Sequence, residues 1–577
     1  VTWRNILRAG WIALFFTLAA LAVAKLNLFG LEAASGERAD DVAQRLGIVG
    51  YPYRNHDPDH PREESRPGQD RVRVIYIDDP GLEALKSDWG GWPPGYQNLA
   101  LMIQDVATAP GVQPARAVFV DLEITGENLT PQSEGEFTDL IDALAQLTRA
   151  ERSGEPGWGD VPECRHDALT KLACMVEWGG VPVILASGEG YSPAPFNPAK
   201  PRGETPRERL EAVALLAPIL VDVRAYSLVS RRRAPDPEPG SVAAAPSEDY
   251  DLYPAAAMYA VDCLVRAAKI GRDVCGVPAI EKARTAALAL RRHRQPPAEM
   301  PVWSDVEASW KRPAAVIWSQ DASPRQNQLW AQTSENFQPN CKTTRSLSDH
   351  FDQAFGTRGA VAGAGQACIY TLSLGYDRIV EGLGLSRERD YPDLLGDKLV
   401  LIGVYFRGSD WVPTPLHGAL PGVQYHAMAL DNLLELGRSY RRNEGNGLGR
   451  GDLFASGMTF LLLFGVNLAS IEKRHITGRG RRFKPLVAAA WYSALAVIIV
   501  AVLAFFMLVT GELWRSVIVN WIGILATAFA AAWFTARNDI SGDLAGWMNR
   551  SRAGRAVVGA VSAFDRSLSA SSEQDKE

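Results

Sequence analysis

The chain has 577 residues, 47% hydrophobic and 22% charged, with 60 Lys and Arg against 66 Asp and Glu. It is too long for one ordinary domain, too apolar for a disordered chain and too evenly charged for a simple nucleic-acid-binding protein. The averages also hide four strongly apolar stretches inside a polar majority.

The first stretch opens the chain. Ile6 to Phe29 is mostly apolar, with Arg8 and Lys25 near its ends, where long side chains reach water. Residues 1–31 read as a transmembrane anchor, with a signal peptide ending at Ala22-Val23-Ala24 as the alternative, and on either reading the following segment is exported. The motif His56-Asp57-Pro58-Asp59-His60 lies in a polar, Pro-containing stretch and is expected to be an exposed loop rather than a metal clip. Val72 to Ile77 is predicted as a strand ending at Asp78-Asp79, followed by a helix with apolar spacing through Leu99, Met102, Ile103 and Val106. A second strand, Ala117 to Val120, ends at Asp121, two residues before Glu123. Then come a helix over Phe137 to Leu147, a strand over Val181 to Ala186, a later strand over Lys398 to Val404 and a helix over Tyr425 to Leu436. This alternation predicts an α/β fold with a mixed or mostly parallel sheet and flanking helices. Segments near 192–250 and 275–395 are expected to be long insertions. The second holds Trp303, Trp310, Trp318 and Trp330 in no clear period, expected to pack the insertion rather than stack on sugars.

Three further runs, 453–471, 486–509 and 516–534, contain no Asp, Glu, Lys or Arg, and roughly 20 helical residues span a hydrocarbon core. They predict three transmembrane helices within 451–535, four in all with the N-terminal one. Loop 472–485 carries Lys473, Arg474, Arg479, Arg481, Arg482 and Lys484, which puts it on the cytoplasmic side together with the N-terminus and the tail 536–577. In that tail Leu544, Trp547, Met548, Val557, Val558, Val561 and Phe564 recur at near-helical spacing between arginines, as in an amphipathic helix on the inner leaflet, with docking to a cytoplasmic partner as the alternative. Residues 32–450 are then extracytoplasmic. They carry a net −13 and the membrane flanks +7, so neither nucleic acid nor an anionic surface is a natural partner of the large domain. All six cysteines, Cys164, Cys174, Cys263, Cys275, Cys341 and Cys368, fall in this exported segment, where nearest-neighbour disulfides are the simplest expectation and buried free thiols the alternative.

The order of features resembles the CHASE2 domain family. Ile77-Asp78-Asp79-Pro80-Gly81-Leu82, Trp92-Pro93 and Phe119-Val120-Asp121 look like its first half. Leu395-Gly396-Asp397-Lys398-Leu399-Val400-Leu401-Ile402-Gly403, Ser409-Asp410, Thr414-Pro415 and Pro421-Gly422-Val423-Gln424-Tyr425-His426-Ala427 look like its second. The resemblance spans roughly 35 to 440 and continues into three apolar runs, which is the family's arrangement. It implies an extracytoplasmic sensory domain on the plasma membrane, an unidentified ligand and a cytoplasmic effector, and it allows a homo-oligomer. The 43 residues after Phe534 are too few for the cyclase or kinase modules that follow such domains, so the effector is expected to be separately encoded. An envelope assembly protein whose exported domain binds another protein is the alternative.

Ligands of parallel α/β sheets sit outside the carboxyl ends of the strands. Asp78, Asp79, Asp121 and Glu123 fall at such ends, and Asp410, Thr414 and His426 from the second half are candidates to join them. Their oxygens suit Ca²⁺, Mg²⁺ or a polar ligand, although strand-end Asp residues also simply cap the next helix. No other cofactor is expected. G-x-S-x-G, G-x-x-x-x-G-K-[ST], H-E-x-x-H and G-x-G-x-x-G are all absent, so no enzymatic activity is expected.

Overall fold

The computed structural model describes residues 3–25, most of 68–187, 205–219, 226–231, most of 250–293, 300–310, some of 313–318, 371–380, 394–405, 411–414 and 418–440, with Gly457, Phe460 and Phe464. The chain divides into two compact units, residues 1–43 with 444–577, and residues 44–443.

In the larger unit the strands are β1 (Val72–Asp78), β2 (Ala117–Val120), β3 (Val183–Ser187), β4 (Leu215–Pro218), β5 (Val229–Arg231), β6 (Tyr250–Leu252), β7 (Leu372–Gly375), β8 (Leu399–Tyr405), β9 (Trp411–Thr414) and β10 (Gly418–Pro421). Six of them form one sheet in the order β4-β3-β2-β8-β1-β7, and every pair in it is parallel. The other four make two antiparallel ribbons, β5 with β6 and β9 with β10. β8 inserts between β1 and β2, so the two halves of the family motif share the centre of the sheet. Neighbouring residues on β1 and β8, such as Val74 and Ile75 or Val400 and Leu401, are buried to within 1%. That follows from their near-continuous apolar sequence, which suits a strand covered on both faces.

Helix α1 (Trp3–Lys25) belongs to the smaller unit. In the larger unit, α2 (Tyr96–Ala107) and α3 (Pro131–Thr148) pack together over one face of the sheet. The other face is covered by α4 (Ala168–Glu177), α6 (Pro254–Ile270) and α9 (Gly422–Leu436), while α5 (Pro206–Val213) lies against α3 and β4, and α7 (Pro278–His293) and α8 (Trp303–Trp310) pack outside. α6 has Pro254 in its first turn and ends on Gly271 at φ 79°, the left-handed stop that glycine tolerates best. Segments 192–250 and 275–395 are therefore not only insertions. They supply β4 and β7, the two edge strands, and each is four residues long, too short to show a period. Trp310 and Trp318 are each 1% exposed, and Trp318 stacks on Tyr425 at 5.8 Å, so they pack the fold; Trp330 lies outside the described residues.

At the amino edge of the sheet, the fully buried Asp262 of α6 pairs with Arg116 before β2, with Arg266 at 2.8 Å and with Arg71 at 3.6 Å. Arg116 in turn donates to Asp397 before β8 at 2.7 and 3.1 Å. The network fastens the amino ends of three strands to one helix. Two disulfides, Cys164–Cys174 and Cys263–Cys275, tie α4 to the segment before it and α6 to the segment after it as nearest-neighbour pairs. Cys341 and Cys368 lie outside the described residues.

In the smaller unit, α1 buries small residues and exposes large ones. Ala9 and Ala13 are fully buried and Thr17 nearly so, whereas Trp3, Trp11, Phe15 and Leu18 are more than half exposed. A methyl group at Gly10 would touch the ring of Phe464 at 3.9 Å. Among the described residues no helix is long and apolar enough to cross a membrane. Most of the three runs between 453 and 534, loop 472–485 and the tail lie outside the described residues.

Candidate ligand-binding site

The parallel register sets which side chains share a face. Tyr76 is level with Gly403 and Asp78 with Tyr405, while Phe119 is level with Leu401. Side chains alternate along a strand, so Phe119, Asp121, Tyr76, Asp78 and Tyr405 all project from one face at the carboxyl edge. α9 starts on this face. A Cβ on Gly403 would lie 2.6 Å from Cβ of Val423, so the absent side chain is what lets the first turn of the helix seat directly on β8.

That seating places His426 against β2. Its ring meets Phe119 edge-on at 5.3 Å, and its Nε2 is 3.9 Å from Asp121 Oδ1. On its other side Nδ1 is 2.7 Å from the hydroxyl of Tyr226. The same hydroxyl accepts from the backbone N–H of Ala255, the second residue of α6, at 3.1 Å. The direction of the Tyr226–Nδ1 bond goes with the ring's tautomer: in the tautomer whose proton is on Nε2, the Tyr226 hydroxyl donates to Nδ1 and the Nε2 proton faces Asp121. Burial holds the His426 pKa down at about 3, so the ring is neutral, and burial likewise pushes the Tyr226 phenol well above its ordinary value. The 3.9 Å gap is too long for a direct hydrogen bond, but one hydroxyl or water oxygen can accept from Nε2 and donate to the carboxylate.

On the far side of β8, Asp78 accepts from Gly81 N–H at 2.8 Å. Burial pushes its carboxyl above the usual range; the Gly81 hydrogen bond opposes this, and the negative charges of Asp377 and Asp79 reinforce it. Burial, with Asp78 beside it, pushes the Tyr405 phenol up to about 12. Tyr405 stands between Tyr76 at 5.6 Å and Trp411 at 5.4 Å, and Trp411 is 38% exposed. An aromatic row beside carboxylates is chemistry suited to a cation.

The sequence candidates thus fall into two places. Asp121 and His426 come together; Asp78 at the end of β1, with Asp79 and Asp377 acting on it, lies beside Tyr405 of β8 and about 10 Å from Asp121 by strand spacing. Thr414 ends β9, half-buried, level with Gly418. Glu123, Asp410 and the His56–His60 motif lie outside the described residues. Among the described residues no group of three or more His, Cys, Asp or Glu side chains is placed to hold a metal ion. Sequence reasoning missed Tyr226, Asp377, Tyr405 and Trp411. Only Tyr405 left a trace, as the next residue of a strand already recognised.

Residues 17–466 match the CHASE2 domain in a comparison with protein families. No curated protein and no solved structure matches the chain. The match covers well over half the chain, takes in both halves of the central sheet and extends into α1 and the first uncharged run beyond α9, so the chain belongs to the CHASE2 family of extracytoplasmic sensory domains.

Proposed function

We propose that this chain is a membrane-anchored sensor in which a small polar ligand at the carboxyl edge of the sheet changes how α9 is held, and that the change passes to a cytoplasmic effector protein. The observation that carries the reading is the path of α9. The helix begins in the site, where His426 contacts Phe119 and Tyr226, and the chain after it runs to the uncharged stretch starting at Leu453. No catalytic step is part of the reading. The ligand it favours carries positive charge, as Ca²⁺, Mg²⁺ or an organic ammonium group, because the charged side chains acting on Asp78 are carboxylates and Tyr405 and Trp411 stand alongside. Glu123 follows β2 and Asp410 follows β8 in the chain, and both are included in the proposal.

The membrane part of the proposal draws on the apolar runs, the six cations of loop 472–485 and the surface of α1. A helix that buries alanines and exposes Trp3, Trp11, Phe15 and Leu18 has the reverse of a water-facing pattern, and lipid is the solvent that tolerates it.

The ligand is tested by the melting temperature of the full chain with Ca²⁺, Mg²⁺ or a series of alkylammonium ions. Asp78→Asn and Asp121→Asn keep the shape and most of the capping ability of Asp. A stabilising ion whose effect disappears in these variants, while the unliganded melting temperature holds, supports the site. Equal stabilisation of wild type and both variants withdraws it. A co-purifying envelope protein with no ion effect would favour the assembly reading instead.

A further inference from the structure

Five residues beyond His426, α9 carries Asp431, which is 1% exposed and has no hydrogen-bond partner at either carboxyl oxygen. Buried polar groups are almost always paired, so one that is not is a candidate for a role outside stability. The elements packed on α9 offer many charges. Asp262, Arg266 and Lys269 lie on α6, Asp70 and Arg71 on the turn before β1, Arg73 and Asp78 on β1, Lys398 and Tyr405 at the two ends of β8, and Arg438 just past the helix, while β9 and β10 carry none. Among the described residues only Glu435, one turn further along α9, acts on Asp431, and it has the same sign. The basic groups nearest in the chain fold are engaged elsewhere: Arg71 and Arg266 with Asp262, Lys269 with Asp397, and Arg438 with the carbonyl of Gly276.

We propose that Asp431 makes α9 a proton-responsive element: the helix is seated while this carboxyl keeps its proton, and it loosens when the carboxyl ionises. Among the described residues neither oxygen of Asp431 has a hydrogen-bond partner, and Glu435 repels a carboxylate there. The inference goes beyond the sensory reading and does not depend on which ligand occupies the carboxyl edge.

The sign follows from linkage. Burial, reinforced by Glu435, keeps the proton on Asp431 well above the ordinary carboxylate range. The seated state therefore holds a proton that the opened state gives up, and opening becomes more favourable as pH rises above the unfolded pKa of about 3.9, by at most about tenfold per pH unit. Asp78 and Glu177, whose carboxyls are also raised by burial, contribute in the same direction, so the variant comparison isolates Asp431. His426 acts at the opposite end, since a ring kept neutral in the fold weakens it only as pH falls.

The test is amide hydrogen exchange of residues 422–436 in the full chain, between pH about 5 and about 9, corrected for intrinsic exchange. Protection in wild type should fall with pH, by up to about tenfold per unit, and the fall should be lost in Asp431→Asn and in Asp431→Leu. The same pH slope in wild type and both variants would overturn the proposal. If neither variant folds, infrared spectra of the wild type decide. A buried protonated carboxyl band that disappears over the same pH range as the protection upholds the proposal, and its absence at neutral pH overturns it. Neither readout involves a ligand or an effector, so a failure here leaves the sensory reading standing.

Discussion

Tyr226 does two jobs with one oxygen, and removing that oxygen should be costly in a way that its apolar ring hides. Tyr226→Phe leaves Ala255 N–H without this acceptor and His426 Nδ1 without this hydrogen-bond partner, both inside the core. The expected loss is about 1–3 kcal/mol, read as a lower melting temperature with the fold retained. The histidine predicts a pH response of its own. With its folded pKa held near 3 by burial, the unfolded chain binds a proton below about pH 6.5 that the native state refuses, so stability falls with decreasing pH through that window. His426→Phe, which keeps an aromatic ring against Phe119, should be less stable at pH 7 yet show a flatter acid limb; an unchanged acid limb would remove His426 as its source. His426 and Asp121 were legible as candidates because each stands at the end of a recognisable element. Tyr226 was not, since it lies 200 positions from its partner in a stretch with no period.

The fold turns on how α9 sits on β8 and how α6 is tied to the amino edge of the sheet. Gly403→Ala puts a Cβ 2.6 Å from that of Val423 and should cost about 1–3 kcal/mol by forcing the helix off the strand. Combined with Val423→Gly it should cost less than the two single changes summed, because the pair shares one contact; strict additivity in chemical denaturation would show that the contact is not the cause. Asp262→Ala is expected to cost about 1.5–3 kcal/mol, since it removes the buried carboxylate shared by Arg116 and Arg266 and leaves Arg116 with Asp397 alone. β1, β2, β3 and β8 were readable from continuous apolar runs, and their order along the chain implied parallel pairing. β4 and β7 were not, because a four-residue edge strand between polar loops carries no periodic signal; only the sheet beside it makes it a strand.

For the molecule as a whole, the disulfides and the topology are the firmest points of attack. Cys164–Cys174 and Cys263–Cys275 close separations of 10 and 12 residues, and loop closure of that size is worth about 2–3 kcal/mol each. Reduction should lower the melting temperature, and peptide mapping of the alkylated native chain should recover both pairs; alkylated thiols at those four positions would contradict them. If the proposed membrane topology holds, single added cysteines at Ser35 and at His475 and Ser569 should label from opposite sides of the membrane, the last two only after permeabilisation. Labelling of His475 from outside would reverse the orientation read from its loop.

By itself the sequence determined the family, the α/β class and the strand ends that carry Asp78 and Asp121, all of which are local patterns: a run, a period or a motif; it offered nearest-neighbour cysteine pairing as the simplest of several connectivities, and the structure decided it for two pairs. The tertiary structure decided what depends on distant parts of the chain meeting. It put β8 between β1 and β2, which holds Asp78 and Asp121 on one face yet apart. It joined Tyr226 to His426. It also sealed Asp431 into the core without a partner, although in the sequence that aspartate reads like any solvated carboxylate on a helix. Hydrophobic patterning reports which side of an element faces inward, but the partner that side will find is a property of the packed chain, where burial and pairing are set together.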